Sequence, residues 1–140
     1  MSEGLEHIVA ASTRLSEVDG EAGRLTISGY AVDDLAPAAT FEEVAYLLLN
    51  ARLPAPDERV RFGRELAARR ELPRVAIDMM RGAAADHASP MDALRMAAPV
   101  LSLGRREDPV EDAMTAIAAF PTIVGTYWRL LRGERPVAVR

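Results

Sequence analysis

Three helix-start signals, each followed by apolar residues at helical spacing, constrain the fold of this chain most. Thr40 and Glu43 fit a capping box, in which each side chain satisfies a backbone amide at the other position. Ser89 and Asp108 fit N-cap positions, and each precedes a proline suited to the first helical position. The chain is therefore predicted to be mostly helical, with helices at about 40–52, 57–70, 73–84, 89–103 and 108–132.

The segment before these helices has the pattern of a small β-hairpin. Strand-like runs at 13–18 and 24–27 flank Asp19-Gly20 and Gly23, and we expect both glycines to supply the positive φ angles of a tight turn. One helical turn is expected at 33–36. We predict an all-α helical bundle with one small hairpin at about 13–27, in a single domain spanning residues 1–140.

Composition excludes several kinds of site. The chain has no cysteine, no lysine and only two histidines, His7 and His87. Thiolate nucleophiles, Schiff-base lysines and cysteine-based metal sites are therefore excluded within it. A formal net charge of −4 disfavours nucleic acid as a partner. No apolar run reaches the roughly 18 residues of a membrane span, and no secretory signal is visible, so a cytoplasmic protein is expected.

Few residues remain as candidates for chemistry. His87 could contact a substrate, although a loop histidine is more often simply solvated. The acidic pairs Asp33-Asp34 and Glu42-Glu43 stand at helix starts, where carboxylates favour the helix dipole, so we interpret them as caps. Seven arginines between positions 52 and 74 indicate a solvated helix face, with an acidic or phosphate-bearing partner as the alternative. We predict no self-contained catalytic, cofactor or metal site in this chain.

Short motifs follow one another along almost the whole chain. They are Gly4-Leu5, Asp19-Gly20, Gly23-Arg24-Leu25, Gly29-Tyr30, Asp34-Leu35, Thr40-Phe41-Glu42-Glu43, Leu53-Pro54, Pro90-Met91-Asp92-Ala93-Leu94-Arg95 and Phe120-Pro121-Thr122-Ile123-Val124. In this order they resemble the N-terminal region of the citrate synthase family, which includes 2-methylcitrate synthases. Two positions depart from the family pattern. Ser89 stands where the family usually has histidine, and Pro99 interrupts a helix that is normally unbroken.

The resemblance implies chemistry that this chain does not carry alone. Family members add the methyl carbon of acetyl-CoA to the carbonyl of oxaloacetate and then hydrolyse the thioester, and propionyl-CoA is the other acyl donor. Their catalytic residues lie beyond the matched region, so no residue here inherits a catalytic role. We therefore expect the acyl-CoA to be a substrate of a complete enzyme, with no cofactor bound by this chain.

The resemblance also implies that the helices at 89–103 and 108–132 lie at a subunit interface. Small and large apolar residues agree with this interpretation, namely Ala93, Ala97, Ala98, Ala113, Ala116, Ala119, Met96, Met114 and Trp128. The alternative is that these helices pack on each other within one chain.

Three functions remain open from the sequence. The chain is the small subunit of a citrate synthase-type acyltransferase completed by a second polypeptide, a non-catalytic dimerisation or regulatory protein, or a fragment of an ordinary enzyme. Because 136–140 would be a loop in the family, a gene split or a deliberately chosen end point is favoured over random truncation. We expect a homodimer, a complex with the catalytic polypeptide, or both.

Overall fold

The computed structural model describes residues 12–102 and 108–136, and the chain divides into two compact units, 1–59 and 60–140. The elements are β1 (Ser16–Asp19), β2 (Arg24–Ile27), β3 (Tyr30–Ala31), α1 (Val32–Ala38), α2 (Phe41–Asn50), α3 (Pro56–Ala68), α4 (Arg74–Ala85), α5 (Pro90–Ala97), a 3₁₀ helix (Pro99–Ser102) and α6 (Pro109–Leu131). The predicted mostly helical fold with a small β element is confirmed. The single domain expected over 1–140 stays a prediction.

In the first unit, the three strands form an antiparallel sheet in the order β1-β2-β3. The predicted hairpin corresponds to β1 and β2, in which Val18 lies opposite Leu25. The third strand was not predicted, because Tyr30-Ala31 is too short to show a period of two. Ser28 and Gly29 form the two-residue connection to it with φ angles of 45° and 88°, as a type I′ turn requires.

The turn between β1 and β2 uses only one of its two glycines in the expected way. Gly23 has a φ of 64°, whereas Gly20 lies outside the left-handed region, so the expectation of a positive φ at Gly20 is wrong. The Asp19 carboxylate accepts a hydrogen bond from the backbone N–H of Ala22 at 2.9 Å. This contact shapes the start of the turn without a left-handed residue at position 20.

The N-terminus of α2 has the predicted capping box. The Thr40 hydroxyl accepts from the backbone N–H of Glu43 at 3.3 Å, and the Glu43 carboxylate accepts from the backbone N–H of Thr40 at 2.8 Å. The helix ends at Asn50, and the next residue, Ala51, adopts a left-handed φ of 59°. Leu47 is completely buried.

In the second unit, α4, α5 and α6 pack against one another around one core. Six of the ten core side chains are alanine, which lets helix backbones approach closely. The core residues are Leu72, Ala76, Met80, Ala83, Ala84, Ala93, Ala97, Ala119, Ile123 and Tyr127.

The predicted helix ends agree with the structure to within two residues, except at the C-terminal end of α5. That helix was expected to reach residue 103 but ends at Ala97, and a 3₁₀ helix follows from Pro99. Proline has no N–H to donate to the preceding turn, which explains why the α-helical pattern stops there. In contrast, α6 continues through Pro121.

Candidate assembly surface

The long helix α6 has apolar residues on two opposite faces. One face is buried within the chain and carries Met114, Thr115, Ala118, Ala119, Ile123, Thr126 and Tyr127. The other face carries Phe120, Val124 and Trp128, which recur every four residues and are 36%, 47% and 60% exposed. We call these three residues the α6 outer face. Residues four apart lie on the same side of a helix, so they form one continuous apolar stripe.

The α6 outer face is exposed although the middle of the helix carries no charge. No charged residue occurs between Asp112 and Arg129. A helix that is apolar all round is typically buried inside a larger assembly or a membrane. No helix among the described residues is long and apolar enough to cross a membrane. Because three large apolar side chains are exposed side by side on it, the α6 outer face is a candidate contact surface.

Several residues that the sequence analysis placed at an interface belong to the core of the chain instead. Ala93, Ala97 and Ala119 are fully buried and Met114 nearly so, because α5 and α6 pack on each other within the second unit. For these four residues the interface assignment is wrong and the alternative of packing within one chain holds. Trp128 and Met96 remain exposed.

A cleft of about 160 Å³ lies beside the α6 outer face. The cleft lies between α6 and the segment formed by the end of α5 and the 3₁₀ helix. Phe120 lines the cleft and also belongs to the α6 outer face. Its other lining residues are Ala98, Leu101, Ser102, Asp112, Thr115 and Ala116.

The turn between α4 and α5 holds the one described histidine. His87, the second residue after α4, has a left-handed φ of 52°. The N–H of Ala88 donates to the carbonyl of Ala83 at 2.9 Å, and the N–H of His87 donates to the carbonyl of Ala84 at 3.2 Å. These two bonds form a Schellman motif, the usual helix end at which glycine occupies the left-handed position. The backbone of His87 thus terminates α4, and its side chain is exposed.

A buried tyrosine holds this turn against α6. The hydroxyl of Tyr127 donates to the carbonyls of Ala83 and Ala88, the first at 3.4 Å. No local sequence pattern predicts this role, because Tyr127 is far from the turn in sequence and only the packing of α6 on α4 brings them together.

Ser89 caps the N-terminus of α5. Its hydroxyl accepts from the backbone N–H of Asp92 at 3.2 Å and donates to the Asp92 carboxylate at 2.7 Å. The N-cap role predicted for Ser89 is therefore confirmed.

An ion-pair network, also missed from the sequence, joins the end of α2 to the start of α3. The Glu58 carboxylate accepts from the Arg52 guanidinium at 2.6 and 2.7 Å, from the backbone N–H of Ala55 at 2.8 Å and from the Tyr46 hydroxyl at 3.1 Å. The bonds from Arg52, and then the bond from Ala55, lower the pKa of Glu58 to about 2. All four groups serve to fix the corner between the two helices.

The acidic pairs lie where helix-start roles predict them. Asp33 and Asp34 are in the first turn of α1, and Glu42 and Glu43 are in the first turn of α2. The backbone N–H of Thr40 is the main cause of a lowered pKa at Glu43. Within 12–102 and 108–136, no three acidic or histidine side chains gather as metal ligands would. His7 lies outside the described residues.

Comparison with known proteins identifies the family. The family described as "Citrate synthase, C-terminal domain" matches residues 4–140. The chain belongs to the citrate synthase family. It is similar to the citrate synthase of Haloferax volcanii, with 37% identity over 96% of this chain and 38% of the relative. It is also similar to the 2-methylcitrate synthase of Mycobacterium tuberculosis, with 35% identity over 99% of this chain and 36% of the relative.

A solved structure shows the same backbone arrangement. The citrate synthase of Pyrobaculum aerophilum superposes with a TM-score of 0.83 and 32% identity, over 97% of this chain and 38% of that one. The chain thus spans less than two fifths of the length of the citrate synthases that it matches. The family resemblance seen in the sequence is confirmed.

Proposed function

We propose that this chain is a helical part of a citrate synthase-type acyltransferase, which condenses acetyl-CoA or propionyl-CoA with oxaloacetate. A second polypeptide supplies the catalytic remainder. One observation carries the proposal that the chain is part of such an enzyme: nearly all of it matches citrate synthases, over about 38% of their length.

The chemistry of the reaction supports assigning catalysis to the second polypeptide. Forming the carbon–carbon bond requires a base to remove a proton from the acyl methyl or methylene group, and donors to stabilise the oxygens of the enolate and of oxaloacetate. Among the described residues, the only histidine is exposed and lies at a helix end. We propose that the groups that move protons belong to the second polypeptide, and that the acyl-CoA is a substrate of the complete enzyme.

The α6 outer face is the proposed contact surface of this part. Full burial of a phenylalanine, valine or similar side chain contributes roughly 1.5–3 kcal/mol. Because the three side chains are 36–60% exposed, covering them adds roughly half of that each, which favours an association without supplying all of its free energy. The surface is uncharged, which allows it to meet either the second polypeptide or another copy of this chain without like-charge repulsion. We propose that it serves a homodimer, the complex with the catalytic polypeptide, or both.

Reconstitution tests this function. The purified chain is mixed with the product of the neighbouring reading frame, provided that this frame encodes the remaining part of a citrate synthase. Release of CoA is then measured from acetyl-CoA or propionyl-CoA with oxaloacetate. We expect no turnover from the chain alone and turnover from the mixture. The ratio of the two rates identifies the preferred acyl donor.

A non-catalytic dimerisation or regulatory protein is the second candidate. The exposed α6 outer face favours it, because an assembly surface is useful without a reaction. A mixture that forms a stable complex but releases no CoA with either acyl donor would support this second function and exclude the first.

A further inference from the structure

We draw no further inference here: the strongest candidate, the exposed apolar face of the small sheet that carries Val18, Leu25 and Tyr30, has no contact among the described residues that shows what covers it.

Discussion

At the scale of single residues, His87 is one of three described residues other than glycine that have a left-handed φ, together with Ser28 and Ala51. A left-handed conformation costs an ordinary residue about 1–2 kcal/mol, and glycine avoids that cost. We predict that His87→Gly raises the free energy of unfolding by about 1 kcal/mol. Ala85→Gly, in the last turn of the same helix, should instead lower it by about 0.5–1 kcal/mol. Urea unfolding measures the free energy of unfolding of both variants. If His87→Gly lost as much stability as Ala85→Gly, that result would contradict strain at His87.

Glu58 gives a prediction about pH. Its pKa in the folded chain is about 2, below the ordinary value of 4.5. The ion pair therefore stabilises the fold above pH 4.5, and this contribution is lost as the pH falls toward 2. NMR titration should show the Glu58 carboxyl shifting near pH 2 in the wild type and closer to its ordinary range in Arg52→Gln. The control is Arg61→Gln, which alters an exposed arginine on α3, the helix that carries Glu58. It should leave the titration of Glu58 unchanged. An unshifted midpoint in Arg52→Gln would count against the pair.

Sequence patterns predict residue roles well when the interaction is local. The capping partners Thr40 and Glu43 are three positions apart, so their types and spacing are enough. Tyr127 contacts carbonyls 39 and 44 positions away, and no local pattern encodes that contact. Arg52 and Glu58 are an intermediate case. They are six positions apart, but their contact depends on where α2 ends.

At the scale of elements, the two glycines of the turn between β1 and β2 have different backbone conformations. Neither has an atom within 4 Å of an added Cβ, so only the backbone angle distinguishes them. Gly23→Ala should destabilise the chain by about 1 kcal/mol, because Gly23 has a positive φ. Gly20→Ala should change stability by less than about 0.5 kcal/mol. Thermal unfolding of the two variants decides, and an equal effect would show that the turn differs from the one described.

The positions of the helices follow from their caps, but the burial of their faces does not. Alanine and methionine suit both a tightly packed core and an interface, so the sequence could not tell which alanines of α5 and α6 face inward. The sequence predicts that Pro99 interrupts α5. The helix ends at Ala97, because proline has no backbone N–H to donate to the preceding turn.

Because Ala97 is buried and Val124 is exposed, a charge at these two positions of the second unit should have opposite effects. Ala97 is 0% exposed, so Ala97→Glu should unfold the chain, because a buried unpaired carboxylate costs several kcal/mol. Val124→Arg, on the α6 outer face, should keep its helicity but weaken assembly by at least about tenfold. Circular dichroism measures folding and sedimentation measures assembly. Normal assembly of Val124→Arg would remove the α6 outer face from the interface.

At the scale of the whole molecule, the sequence predicted the fold class and the family from the order of its motifs. It also led us to expect no self-contained active site. It did not predict the cleft beside α6 or the turn held by Tyr127, since both arise only when helices distant in sequence pack together. The exposed stripe on α6 could be recognised only after the structure showed which of its two apolar faces the chain itself covers.

The central claim is that this chain becomes part of a condensing enzyme through the α6 outer face. The most direct measurement is CoA release from acyl-CoA and oxaloacetate by the chain mixed with its catalytic polypeptide. It is made for the wild type, for Val124→Arg and for the control Val75→Arg, which alters a valine of similar exposure on α4. We predict turnover with the wild type and the control, and at least about a tenfold loss with Val124→Arg. Turnover by the isolated chain, or an inactive wild-type complex, would contradict the claim.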